Sequence, residues 1–145
     1  MLKVAFHDIY KHPLDKSHRF PMVKYELIPE QLLRENTCTP ENFFVPGKIN
    51  VNDILAAHKK TYLDKLDNQE FSKKEVRAIG FPMSPRLIVR EKLIAQGTIE
   101  GALSALKHGV AMNIAGGTHH AFSDRAEAFC ILNLSLIHIS EPTRR

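Results

Sequence analysis

Hydrophobic and polar positions divide the chain into short alternating segments. Residues 2–7 (Leu-Lys-Val-Ala-Phe-His) predict a strand with Val4 and Phe6 on one side. Residues 8–21 predict a loop holding His12-Pro13 and His18-Arg19-Phe20-Pro21. A helix follows from about Met22 to Arg34, with Pro29 tolerated only near a break or kink. Residues 36–47 are irregular, with Pro40 and Pro46. Asn52 is then a good N-cap for a helix through Leu66, in which Leu55, Tyr62 and Leu66 recur at helical spacing.

The second half carries sharper signals. Ser72-Lys73-Lys74-Glu75 has the capping-box pattern and opens a short helix, which Gly80-Phe81-Pro82 breaks. Ser84 as N-cap with Pro85 at the first helical position is a strong start signal. That helix should run to about His108, with Leu87, Leu93, Ile94, Leu103 and Leu106 inside, and end at Gly109. Gly97 weakens its middle by about 1 kcal/mol relative to alanine, which points to a close packing contact or a bend. Residues 110–115 (Val-Ala-Met-Asn-Ile-Ala) predict a mostly apolar strand of the kind buried in a parallel sheet. Helix, short turn, buried strand and glycine-rich loop together define an α/β arrangement. No internal repeat or low-complexity stretch interrupts it.

Composition changes this picture little. The 145 residues suit one domain with a real core, and 43% hydrophobic with 25% charged is ordinary for a globular protein. No apolar run approaches the roughly 20 residues of a membrane helix. The N-terminus lacks the apolar core of a secretory signal. Cys38 and Cys130 suggest neither a disulfide framework nor a zinc knuckle, so a cytoplasmic protein with reduced thiols is expected. The net charge of +4 is spread along the chain, as in Lys59-Lys60 near Asp64, and predicts solvated faces with no direct nucleic-acid patch. Oligomeric state is open.

The candidate chemistry lies in Gly116-Gly117-Thr118-His119-His120-Ala121-Phe122, directly after the last strand. Ligands of open α/β sheets bind beyond the carboxyl ends of the strands. Two glycines let the backbone approach a ligand or take positive φ. Adjacent histidines could supply a base and an electrostatic partner near neutral pH. On residue types alone, a surface or structural role, catalysis and metal ligation all stay open. Neighbouring side chains on a regular element diverge, which makes tandem histidines a poor metal clamp.

Residues 115–122 (Ala-Gly-Gly-Thr-His-His-Ala-Phe) and 124–133 (Asp-Arg-Ala-Glu-Ala-Phe-Cys-Ile-Leu-Asn) together resemble the histone deacetylase signature, in its bacterial and class IV-like branch. His18-Arg19-Phe20-Pro21-Met22 with Lys24-Tyr25 resembles the family's first rim loop, and residues 77–85 resemble the segment leading to its histidine loop. The resemblance covers about residues 2–133. It implies an α/β fold with a three-layer parallel sheet flanked by helices, arginase/deacetylase-like and here truncated. It also implies a zinc-dependent deacetylase that hydrolyses N-acetyl or other N-acyl amines, such as acetyl-lysine or an acetylated small amine. By the resemblance, His119 supports the transition state and His120 is the general base. Phe129 forms the aromatic wall of the acyl channel, Cys130 sits at its inner end, and Gly117 passes close to the acetyl pocket. Ala128 stands where many relatives have glycine, which bears on backbone recognition of the substrate.

The resemblance stops at Asn133. The family continues with an aspartate and later an Asp-x-Asp-x-His motif that supplies zinc ligands. Here residues 134–145 (Leu-Ser-Leu-Ile-His-Ile-Ser-Glu-Pro-Thr-Arg-Arg) supply none, and His138 is not counted as one. Residues 1–133 are therefore expected to be the N-terminal part of a deacetylase domain and 134–145 a non-native tail, with no metal ligand in the chain. Such a chain is expected to be inactive and marginally folded, because a parallel sheet cut partway exposes an apolar edge. Two alternatives are a non-catalytic interaction module with a deacetylase-like fold and an unrelated α/β enzyme. The latter would call for a phosphate cradle or a serine elbow, and neither motif is present.

Overall fold

A computed structural model describes residues 1–140. The elements run β1 (Lys3–Ala5), α1 (Lys24–Arg34), β2 (Phe43–Phe44), α2 (Val51–Leu55), α3 (Lys60–Asn68), α4 (Lys73–Ile79), α5 (Pro85–His108), β3 (Ala111–Asn113) and α6 (Leu134–Ser140). Single 3-10 turns occupy Asp8–Tyr10 and Pro40–Asn42. The three strands form a parallel sheet in the order β2-β1-β3, with Val4 opposite both Phe43 and Met112. Parallel neighbours need long crossovers, which α1 and the run α2–α5 provide. Val4 and Ala5 point to opposite faces of β1 and both are fully buried, so the central strand is covered on either side. This is the expected α/β sheet flanked by helices.

Local capping chemistry sets several boundaries. Ser72 Oγ accepts the Glu75 N–H while the Glu75 carboxylate accepts the Ser72 N–H, so the predicted capping box opens α4. Gly80, at φ +84°, ends it. Ser84 Oγ accepts the Leu87 N–H, Pro85 takes the first position, and α5 runs 24 residues to the stop at Gly109.

Four expectations need correction. Pro29 sits inside α1 and is buried without breaking it. The single helix from Asn52 to Leu66 is two helices. Asn50, not Asn52, caps α2 by accepting the Asn52 N–H, and Lys59 takes an extended backbone before α3. The Lys59 N–H leaves the helical ladder to donate to the Ser123 carbonyl at 2.8 Å. In α5, Leu87 and Ile94 are core residues, whereas Leu106 is 75% exposed beyond the reach of the sheet. Finally, β3 is shorter than residues 110–115 and only half-buried, with Met112 36% exposed. Among the described residues β3 pairs only with β1, so its far side has no neighbouring strand.

Gly97 resolves as a close contact and not a bend. A Cβ there would lie 2.8 Å from Tyr10 Oη, 3.0 Å from Pro46 Cγ and 3.1 Å from Ala5 Cβ. Alanine would gain about 1 kcal/mol in helix propensity, but overpacking three neighbours costs about 1–3 kcal/mol. Gly97→Ala is therefore expected to lower the urea midpoint, and a raised midpoint would show that α5 can shift off the sheet.

In the stretch set apart as a tail, Leu134–Ser140 is helical, and Leu134 and Ile137 are buried in the core against α5 and α2. The His138 side chain and residues 141–145 lie outside the described part.

Candidate active site

The paired-histidine loop leaves β3 at the carboxyl end of the sheet, and side-chain hydrogen bonds hold it at both ends. Asn113 Nδ2 donates to the Ile94 carbonyl (2.8 Å) and to Thr98 Oγ1 (2.9 Å), tying the loop's start to α5. Gly117 adopts φ +97°, the left-handed region that the double glycine permits. Thr118 Oγ1 donates to the Leu132 carbonyl at 2.8 Å. Asn133 Nδ2 donates to the carbonyls of His119 (3.1 Å) and Ala121 (2.9 Å), bracketing His120. Asn133 Oδ1 accepts the Leu136 N–H and so caps α6.

His119 Nδ1 lies 2.9 Å from the Gly117 carbonyl. A carbonyl only accepts, so Nδ1 carries the hydrogen, and in the neutral ring Nε2 is the nitrogen with the lone pair. The His119 and His120 rings are 4.2 Å apart between centroids, and both are exposed.

Residues 127–130 form a two-residue hairpin. The Glu127 N–H donates to the Cys130 carbonyl (3.1 Å), and the Cys130 N–H donates back (2.9 Å). Ala128 (φ 50°) and Phe129 (φ 65°) both occupy the left-handed region, as the favoured tight turn requires. The Ala128 and Phe129 N–H groups donate to the carbonyls of Ala78 and Ile79 at the end of α4. Both amides are thus occupied by the protein itself. Alanine at positive φ stores about 1–2 kcal/mol of strain that glycine does not. Ala128→Gly is expected to raise stability by about 1 kcal/mol in urea unfolding, and a loss would mean that the methyl group makes needed contacts.

The hairpin aims Phe129 into an aromatic cluster. Its ring lies 5.1 Å from Phe20 and 5.0 Å from Phe81, with the Arg19 guanidinium 5.0 Å from its centroid. His18 accepts the Phe20 N–H at Nδ1 and donates from Nε2 to the Gly80 carbonyl, which locks the rim loop onto α4. A Cβ on Gly80 would come within 2.5 Å of the Phe129 ring, so the helix stop is also the seat of that ring.

These parts enclose a cavity of about 180 Å³. Gly117, His119, Ala128, Phe129 and Cys130 all line it. His120 does not; it sits outside, against His119. Both thiols, Cys38 and Cys130, are free and buried.

The sequence reading missed the cavity floor. Arg90 and Glu91 form a buried ion pair there. Arg90 Nε also donates to the Tyr10 carbonyl at 2.7 Å, and its guanidinium lies 5.1 Å from the Tyr25 ring centroid. Glu91 Oε2 has no partner. Burial pushes the Glu91 carboxyl above its ordinary range, opposed by Arg90. Burial likewise raises the Tyr25 phenol. The signal was available: positions 87, 90, 91 and 94 follow the i, i+3, i+4, i+7 pattern of a core face, and two of them are charged. Asn133 and His58 were also missed as structural partners of the loop.

Among the described residues, no three His, Cys, Asp or Glu side chains come together to hold a metal. The described residues therefore do not by themselves make a zinc site. No described helix is long and apolar enough to cross a membrane.

A parallel α/β sheet with a glycine-histidine loop at its carboxyl end, over an aromatic-walled cavity, defines an α/β domain with an enzyme-like site. The model of the histone deacetylase domain matches residues 16–145, and the chain belongs to the histone deacetylase family. An uncharacterized protein of Picosynechococcus is 37% identical over 130 residues, covering 90% of this chain and 43% of that protein. Histone deacetylase 2 of Arabidopsis thaliana is 25% identical over 130 residues, covering 86% of this chain and 34% of its own length. The crystal structure of an HDAC homolog from Aquifex aeolicus superposes with a TM-score of 0.78 at 22% identity, covering 99% of this chain and 41% of that one. The chain thus spans less than half the length of these relatives.

Proposed function

We propose that the protein to which this chain belongs is a zinc-dependent hydrolase of N-acyl amines such as acetyl-lysine or an acetylated small amine. The observation that carries the reading is His119 at the mouth of the aromatic-walled cavity, with its Nδ1–H held by Gly117 and its Nε2 free to accept a proton. Phe129, Phe20 and Phe81 suit an extended alkyl chain, which aromatic walls desolvate. His120, against His119 on the outer side, is the second proton-handling group of the pair. When bound, zinc would polarise the acyl carbonyl and activate water. Its ligands are assigned to sequence beyond the described residues, and residues 134–145 are read as non-native.

The test begins with the source gene past the codon for Asn133. An aspartate followed by an Asp-x-Asp-x-His motif is expected. The protein with that continuation should hydrolyse an acetyl-lysine peptide, lose activity to a chelator and regain it with zinc. Chelator-resistant hydrolysis would refute the metal dependence. A full domain with the motif but no hydrolysis of any N-acyl amine would favour a binding module instead.

A further inference from the structure

The break between α2 and α3 places two residues against the segment that follows the paired histidines. His58 is buried, and its Nε2 accepts the Asn133 backbone N–H at 2.9 Å. Four positions on, Tyr62 packs on the His58 ring at 5.4 Å between centroids and donates its hydroxyl to the Ile131 carbonyl at 2.8 Å. The two side chains thus grip the backbone at residues 131 and 133. Lys59 holds the other end of the loop, through its N–H to the Ser123 carbonyl and its ammonium 3.3 Å from the Asp124 carboxylate. In a helix continuous from Asn52 to Leu66 the Lys59 N–H would be taken up by the helical ladder instead of reaching Ser123.

We propose that His58 is a positioning residue for the paired-histidine loop: by accepting the Asn133 N–H it fixes the Asn133 amide against the His119 and Ala121 carbonyls, and so fixes His119 and His120. The role rests on the reading of those histidines as the proton-handling pair. Only the tautomer with hydrogen on Nδ1 and a bare Nε2 can accept that N–H. Burial lowers the His58 pKa, which favours the neutral ring; the carbonyls of Phe122 and Ser123 oppose this, though neither completes a hydrogen bond to Nδ1. Outer partners of this kind orient a functional imidazole without touching the reacting atoms.

Long-range proton–nitrogen NMR of the histidine rings in the 145-residue chain tests this at neutral pH. In the unsubstituted protein, His58 should be the Nδ1–H tautomer, and so should His119. His58→Leu should move the Asn133 side-chain amide and the His119 ring signals, with loss of the single His119 tautomer. His58→Gln, whose Oε1 can accept the same N–H, should restore both. A His58 ring protonated on Nε2 overturns the proposal without any variant, even if His58→Leu fails to fold. Unchanged His119 and Asn133 signals in a folded His58→Leu overturn it too. In the protein with its full catalytic domain, His58→Leu should lower kcat about tenfold to a hundredfold with KM within about twofold, and His58→Gln should recover most of it. An intact His58–Asn133 contact in a full domain that hydrolyses no N-acyl amine would refute the deacetylase reading while leaving the positioning role in place.

Discussion

Replacing Asn133 with leucine is expected to lower stability by about 3–5 kcal/mol and to release the paired-histidine loop. The side chains are similar in size, so the loss comes from hydrogen bonds and not from a cavity. The Asn133 amide donates to two carbonyls and its oxygen caps α6, all at a buried position. The buried Ala121 carbonyl left without a donor costs about 1–3 kcal/mol, the part-buried His119 carbonyl less, and the lost cap about 1 kcal/mol more. Leucine's own burial offsets part of this, which keeps the total below the simple sum. Urea unfolding reads the effect as a lower midpoint at unchanged slope. Asn133→Asp divides the causes: it keeps the acceptor for the Leu136 N–H but sets a carboxylate against the His119 and Ala121 carbonyls. If Asn133→Leu stays within about 1 kcal/mol of the parent, the loop is held by other contacts.

The same residue marks how far sequence carried the reading. Ser72 and Ser84 announced their helices because capping is local chemistry, completed within four residues. The α2–α3 break was not legible, since it depends on Ser123, some sixty positions away, and on the burial of His58. The paired histidines and the Phe129-Cys130 segment stood out by family pattern, and the meeting of His119 with that segment around one cavity follows from the parallel sheet and the hairpin at 127–130. His120 lies outside that cavity, although its ring sits 4.2 Å from that of His119 between centroids, because the loop there follows neither strand nor helix periodicity. The apolar spacing of Leu134 and Ile137 suits a helix whatever the origin of those residues. Which of its apolar residues is buried was not legible, since Leu136 is exposed while Leu134 and Ile137 are not.

Arg90→Met should lower stability by about 3–5 kcal/mol near neutral pH. It removes the guanidinium that neutralises Glu91, whose Oε2 already lacks a partner, and frees the Tyr10 carbonyl that Arg90 Nε satisfies. A carboxyl whose folded pKa is raised is disfavoured as its charged form. Stability is then greatest below its unfolded value near 4.5 and falls as pH climbs toward the folded value. Without Arg90 the folded pKa rises further, so the deficit should shrink toward about pH 4 and grow as pH rises toward neutrality. Adding Glu91→Leu to Arg90→Met should recover most of the loss at neutral pH, because an apolar pair of similar volume replaces the ion pair without desolvating charge. Urea midpoints of the single and double variants at both pH values form the cycle. A deficit that does not change with pH, or a double variant no more stable than Arg90→Met, would place the cost in the Tyr10 and Tyr25 contacts instead. Arg90 would then be a strut between the β1–α1 loop and α5, and the charge of Glu91 would be incidental to the cavity floor.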